Sequence, residues 1–446
     1  MASISSSLSS LLLLLTLALI LISPSPASST SHRLTKSGLK IGLTNIHSGG
    51  SFANFERLLQ AVKRSSRRLQ KLNGMVLGAT QQNLTTTVFA GEGAYNMNFS
   101  IGTPAMSYSG IMDTGSDLIW TQCQPCLECF NQSDPLFDPK KSSSFSNESC
   151  TGGLCQNLPV NSCNPYYGCV YIYEYGSGIT SGFLGTETFT FEKVSVPGIA
   201  FGCGLFNLGF EFTEGLIGLG RGPLSLISQL GEPEFSYCLT SYGDNKSSNL
   251  LIGSQASVNS TGGGGNNTNI STPLIRNPLA PSFYYLSLEG ITVGNTTLPV
   301  NKTTFAIKSD GSGGVIIDSG TTITFLELNA YLLVRKAFIS QVNLTVVDLF
   351  FETGLDLCFK LPSNASSVVI PKLLFHFTDL DLNLPMENYM LGNSSIFLQG
   401  LDVTCLAMAG SFGFSIFGNI QQQNYLITYD LSKETLSFTS TECDKF

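Results

Sequence analysis

Two carboxylates stand in matching frames far apart in the chain. Asp113-Thr114-Gly115 lies in the run GIMDTGSDLIW from Gly110 to Trp120, and Asp318-Ser319-Gly320 lies in GGVIIDSGTTITF from Gly313 to Phe325. In each, a strand-like apolar run delivers an Asp, then a small hydroxyl residue, then a Gly that lets the chain turn where a Cβ would clash. Carboxyl groups brought to roughly 3 Å cannot both ionise, so they share a proton. One can then draw a proton from water while the other polarises a carbonyl.

The elements that must position this pair are also repeated. Glu214 to Gly220 (EGLIGLG) follows the first Asp and Ser415 to Asn419 (SIFGN) follows the second, each an apolar pair closed by Gly. Matching punctuation of this kind argues for duplication, with one Asp presented by each half. At 446 residues the chain can form two large lobes, and its Gly, Ser, Thr, Asn and β-branched content favours short strands and turns. The expected architecture is mostly β and bilobal: an N-terminal lobe over 79–258 with a cysteine-rich insertion, a C-terminal lobe over 259–446, and a cleft between them. The Gly-rich stretch from Gln255 to Ser271 reads as an exposed loop near the junction.

Ahead of the lobes the composition changes. An apolar stretch from Leu11 to Ile22, followed by small residues at Ser25 and Ala27, reads as a signal peptide over 1–27 and is too short for a spanning helix. Residues 28–78 carry nine basic residues (Arg33, Lys36, Lys40, Arg57, Lys63, Arg64, Arg67, Arg68 and Lys71) against one acid, Glu56. From Ala79 onward remain 14 of the 23 basic and 30 of the 31 acidic residues, a formal charge of −16. A basic leader thus precedes an acidic body. Phe52, Phe55, Leu59 and Val62 recur at helical spacing, which predicts a leader helix over about Phe52 to Leu72. Behind a signal peptide, such a segment reads as a propeptide held over the cleft by ion pairs and cut near Gly78, rather than as a nucleic-acid or membrane patch.

All twelve cysteines lie at or beyond Cys123, an even number in the expected mature region, which fits disulfides formed in an oxidising compartment. Zinc is the alternative prompted by Cys123, Cys126 and Cys129. Thirteen Asn-x-Ser/Thr sequons agree with a secreted, extracellular or vacuolar glycoprotein, and the polar C-terminus carries no lipid-anchor signal. Of three histidines, His32 and His47 fall in the leader, leaving His376 in an apolar alternation where it reads as structural. This scarcity excludes the main His-dependent hydrolytic mechanisms.

The paired triplets, DTGSDLIWTQCQPC (Asp113 to Cys126), the cluster Cys150, Cys155, Cys163 and Cys169, and SIFGNIQQQN (Ser415 to Asn424) resemble the pepsin-like aspartic endopeptidases, and among them the plant nepenthesin group. The resemblance runs over nearly the whole chain. It implies a secreted acid endopeptidase made as a zymogen, with Asp113 and Asp318 as catalytic dyad. Ser116 and Thr321 would bond the outer carboxylate oxygens, while Thr114 and Ser319 brace the loops across the lobes beside Gly115 and Gly320. Tyr175 and Gly176 would form a flap, with Trp120 bonding the Tyr175 hydroxyl and Ile111 and Leu216 lining apolar pockets. It further implies disulfides Cys123–Cys126, Cys129–Cys203, Cys150–Cys169, Cys155–Cys163, Cys238–Cys443 and Cys358–Cys405. The implied partners are protein and peptide substrates, the chain's own propeptide and pepstatin-type inhibitors. No cofactor, metal, nucleic acid or membrane anchor is expected, and the protein is expected to be a monomer. The alternative is a catalytically silent binding or inhibitor protein of the same fold, which would ordinarily have lost part of a triplet. A glycosidase also needs two acids in a cleft, but has no reason to seat them in duplicated turns.

Overall fold

A computed structural model describes residues 38–45, 51–76, 94–176, 178–210, 213–242, 247–256, 270–362, 368–398 and 401–445. The expected signal peptide, the processing point near Gly78, most of the Gln255–Ser271 loop and the sequons at Asn83, Asn245, Asn259, Asn266, Asn269 and Asn364 lie outside them. From His32 onward the chain forms one compact unit.

Alternation builds the strands. Tyr95, Met97, Phe99 and Ile101 turn inward from the strand Tyr95–Ile101, which pairs antiparallel with Met106–Asp113. Gly215–Gly218 then lies parallel beside that second strand, with Leu216 opposite Ile111 and Gly218 opposite Asp113. The second half repeats the device, Val315–Ile317 running parallel to Ser415–Phe417 with Ile317 opposite Phe417. In each half a third strand crosses antiparallel, Trp120 opposite Leu216 and Phe325 opposite Ile416. The repeated Gly has a steric cause: a Cβ would lie 2.3 Å from Asp117 backbone atoms at Gly218, and 2.3 Å from the Ile323 carbonyl oxygen at Gly418. The halves are joined where Glu234–Cys238 pairs with Tyr425–Asp430.

The leader is built into this body. Its strand Leu39–Asn45 pairs antiparallel with Ser248–Ile252 on one side and with the Tyr95–Ile101 strand on the other, burying Leu39, Ile41 and Leu43. Its helix spans Ser51–Val76 and includes the predicted stretch. Leu58, Val62, Ser65, Leu69 and Leu72 form a buried stripe at three- and four-residue spacing, and its apolar members pack in one cluster with Phe283, Phe414 and Ile420 of the second half. Burying a Val or Leu side chain is worth about 1.5–3 kcal/mol, whereas an exposed ion pair contributes about 1 kcal/mol at most. The helix is therefore seated chiefly by its apolar stripe.

All twelve cysteines are paired. Cys238–Cys443 and Cys358–Cys405 are as expected, but the other four pairings are not: the structure joins Cys123–Cys203, Cys126–Cys129, Cys150–Cys163 and Cys155–Cys169. Strand register is the cause. Trp120–Gln122 runs parallel to Val194–Leu208 with Thr121 opposite Cys203, and the Cys123 amide donates to the Gly204 carbonyl (2.9 Å). That register places the Cα atoms of Cys123 and Cys203 5.3 Å apart, leaving Cys126 to close on Cys129. In the insertion, Cys163 and Cys169 face each other across a hairpin, so neighbouring positions decide which is reached from Cys150 and which from Cys155. Partial reduction with mass mapping should therefore recover Cys123 linked to Cys203; a Cys129–Cys203 link would overturn the register argument.

Candidate active site

Asp113 closes its strand and Asp318 directly follows the equivalent one, and both are fully buried. The Gly115 amide donates to Asp113 Oδ1 (3.1 Å) and the Ser116 hydroxyl to Oδ2 (2.5 Å). The Gly320 amide donates to Asp318 Oδ1 (2.8 Å) and the Thr321 hydroxyl to Oδ2 (2.5 Å). Across the halves, the Thr114 amide donates to Ser319 Oγ (3.0 Å) and the Ser319 amide to Thr114 Oγ1 (2.9 Å). The Ser319 hydroxyl also donates to the Met112 carbonyl (2.9 Å), as the Thr114 hydroxyl does to the Ile317 carbonyl (3.5 Å). Gly115 and Gly320 permit close approach: a Cβ would lie 2.7 Å from Asp318 Oδ1 in the first case and 2.3 Å from Asp113 Oδ1 in the second.

Between the carboxylates sits Arg68 of the leader helix. Its Nη2 donates to Asp113 Oδ1 (2.6 Å) and Asp318 Oδ1 (3.2 Å), and its Nε to Asp318 Oδ2 (2.9 Å). Burial opposes the charge on Arg68, yet the two carboxylates outweigh it and hold the guanidinium protonated. Burial also opposes charge on Asp113, but Arg68 and the Ser116 hydroxyl hold that carboxyl below the usual range. Asp318 is pushed up to about 6 by burial, with Arg68 pulling the other way and the Asp113 charge adding to the rise. The two acids therefore differ in proton affinity, as a base and an acid working together require.

Around Arg68 the leader makes further contacts. Ser65 Oγ accepts from the Thr322 amide (2.8 Å), and Lys71 pairs with Glu174 of the strand Gly168–Glu174 (2.7 Å). A Cβ on Gly176 would lie 2.1 Å from Arg68 Cα, so the backbone of the expected flap rests directly on the helix. Arg64, one turn before Arg68, is partly buried; its Nη2 finds no hydrogen-bond partner among the described residues, and burial together with Arg68 lowers its pKa to about 10. Sequence reasoning foresaw a cationic leader over the cleft without identifying Arg68 as the residue on the pair. The helical phase of Leu58, Val62, Ser65 and Leu69 carried that signal, because position 68 shares their face.

Ile111, Leu216, Tyr175 and Trp120 are brought into one buried cluster with Leu118 and Phe210. The hydrogen bond expected between Trp120 and Tyr175 is absent. The Tyr175 hydroxyl instead donates to the Leu118 carbonyl (3.3 Å), and the buried Trp120 Nε1 has no hydrogen-bond partner among the described residues. Packing explains the difference: Phe210 stands edge-on to both rings, with centroids 4.7 Å from Trp120 and 5.3 Å from Tyr175. Nothing in the local sequence marks Phe210. His376 lies apart in a four-stranded sheet, with Nδ1 at 2.6 Å from Asp381 Oδ1 and Nε2 at 2.7 Å from Thr292 Oγ1.

The family description "Xylanase inhibitor N-terminal" matches residues 95–254 and "Xylanase inhibitor C-terminal" matches 283–440. The chain is 50% identical over 417 residues to aspartic proteinase nepenthesin-1 of Nepenthes gracilis, covering 92% of each chain. It is 47% identical over 411 residues to nepenthesin-2 of the same organism, covering 91% of this chain and 90% of that one. Aspartyl protease family protein 2 of Arabidopsis thaliana is 37% identical over 375 residues, covering 82% and 74%. Among solved structures, edgp superposes with a TM-score of 0.62 at 20% identity, covering 79% and 92% of the two chains. Basic 7S globulin from soybean gives 0.59 at 19%, covering 80% and 96%. These two share the fold.

Proposed function

The chain belongs to the pepsin-like aspartic proteinases, in their nepenthesin group, and is by that descent a peptide-bond hydrolase; from this premise we propose that it is a secreted acid endopeptidase, made as a zymogen, whose Asp113/Asp318 pair activates water. The observation that carries this reading is the matched hydrogen bonding of the two buried carboxylates about a single leader cation, Arg68.

Once Arg68 withdraws, the two acids share one proton and hold a water between them. The ionised carboxylate takes a proton from that water as its oxygen adds to the scissile carbonyl, which the protonated carboxyl polarises. A neutral gem-diol results. The pair then passes a proton to the leaving nitrogen, the C–N bond breaks, and an amine and a carboxylic acid leave without any covalent bond to the enzyme. The apolar neighbours Ile111, Tyr175 and Leu216 favour bulky hydrophobic side chains in the substrate.

Acid release follows from charge. As pH falls through about 6 Asp318 takes a proton, and Asp113 follows below the ordinary carboxylate range. Arg64 and Arg68, four residues apart on one helix, stay cationic and lose the carboxylates that offset their mutual repulsion. The apolar stretch in the signal region, the fully paired cysteines and the sequons support passage through the secretory pathway to an extracellular or vacuolar destination.

The xylanase-inhibitor description that the chain matches also covers a silent binding protein. Intact triplets with Ser116 and Thr321 beside them favour the enzyme. Acidified full-length protein should shorten and then digest a denatured protein, both steps being blocked by pepstatin. A chain that stays full length at every acidic pH would reject self-activation. No digestion even after another protease has removed the leader would select the silent binder.

A further inference from the structure

Asp117, four residues beyond Asp113, takes no part in the steps above, yet it is buried, at 8% exposure for the residue. One oxygen accepts from the Gly222 amide (2.9 Å) and the other from the Ser282 hydroxyl. The chain from Gly218 to Gly222 is wrapped around it: a Cβ would lie 2.3 Å from Asp117 Oδ1 at Gly220 and 2.1 Å from Oδ2 at Gly222. Ser282 belongs to the second half. Two residues on, the Tyr284 carbonyl accepts from the Ile317 amide (3.0 Å), and Tyr285 pairs with Ile316 in the strand that leads to Asp318. Asp117 thus links the loop of one candidate catalytic acid to the support of the other.

The charges around it do not neutralise it. Asp113 on its own loop adds repulsion, and Tyr173 from the flap strand and Tyr284 from the second half are neutral phenols whose pKa values are raised, chiefly by burial. Arg221, from the wrapping loop, is bonded instead to Glu434, which also holds Arg276, and its guanidinium carbon lies 5.5 Å from the Tyr284 ring centroid. Among the described residues no cation pairs with Asp117. A carboxylate with two hydrogen bonds and no counter-ion is comfortable as a neutral acid and costly as a buried charge.

We propose that Asp117 is an acid-stabilised tie between the lobes: as a neutral acid it fastens the first catalytic loop to Ser282 at little cost, and once ionised it leaves a buried charge that the Ser282 and Gly222 hydrogen bonds only partly offset. Burial pushes its carboxyl up to about 6, against the Ser282 and Gly222 hydrogen bonds. A carboxyl raised in the folded state contributes stability that is present below its unfolded pKa and lost as pH rises through the folded one. The fold around the tie therefore loses stability as pH rises through about 6, towards neutrality.

The tie lies within the site proposed for hydrolysis, so its test reads stability and not turnover. The experiment is thermal unfolding of the full chain from about pH 5 to pH 8, followed by the fluorescence of Trp120, the sole tryptophan, with chain length checked on a gel. Asp117→Asn keeps the shape of the neutral acid. Its Tm minus that of wild type should rise by roughly 1–2 °C across this range. Ser282→Ala removes a donor to the ionised form, so its deficit against wild type should widen with pH; this arm stands even if Asp117→Asn fails to fold. Tm differences that stay flat with pH in the variants that fold would overturn the proposal while leaving the protease reading untouched.

Discussion

Asp113→Asn and Asp318→Asn are each expected to lower peptide hydrolysis by about a thousandfold or more, since a positioned acid or base contributes roughly 10²–10⁴-fold and neither amide can share the required proton. The fold should survive. Asn keeps the size of Asp; its oxygen can accept from the Gly115 or Gly320 amide, and its NH2 can donate to the Ser116 or Thr321 hydroxyl oxygen in place of the second carboxylate oxygen. Either variant should also be unable to shorten itself in acid, which separates self-cleavage from removal of the leader by another enzyme. Substantial pepstatin-sensitive turnover in a purified variant would remove that residue from the proposed pair.

Arg68→Gln should make the precursor leaky. Removing one partner of a buried ion pair costs about 3–5 kcal/mol, which corresponds to a weakening of the leader's hold by roughly 10²- to 10⁴-fold. The sign against pH follows from the two acids. Asp113 is depressed, so its contribution to the clamp is present above its unfolded pKa and lost as pH falls through its lower folded value. Burial and the Asp113 charge leave the Asp318 carboxyl at about 6 although Arg68 pulls it down as well, so protonation near 6 removes the Arg68–Asp318 pair first. Wild type should accordingly stay latent at neutral pH and open stepwise below about 6, whereas Arg68→Gln should cleave a small peptide without prior acidification. Lys71→Gln is the control: its pair with Glu174 is half exposed, and its loss should change latency by no more than about fivefold. Equal latency of Arg68→Gln and wild type at every pH would defeat the assignment of Arg68 as the plug.

The acids, their supports and their repeat were legible because each is local. Asp, hydroxyl and Gly must follow one another for the turn to form, and Ser116 and Thr321 reach their own carboxylates from three residues away. The leader helix was legible for a similar reason, since its stripe recurs at the period of the helix itself. Three features depended on what lies opposite, which chain order does not encode. Cys123 pairs with Cys203 because two strands run parallel in one particular register. Tyr175 turns its hydroxyl to Leu118 because Phe210, remote in sequence, wedges against both it and Trp120. Arg68 is set apart from its basic neighbours only when the helix docks on Phe283 and Phe414 and aims that one position at the carboxylates. Short-range chemistry thus determined which residues can do the work, and the packing of distant strands and rings decided which partner each one meets.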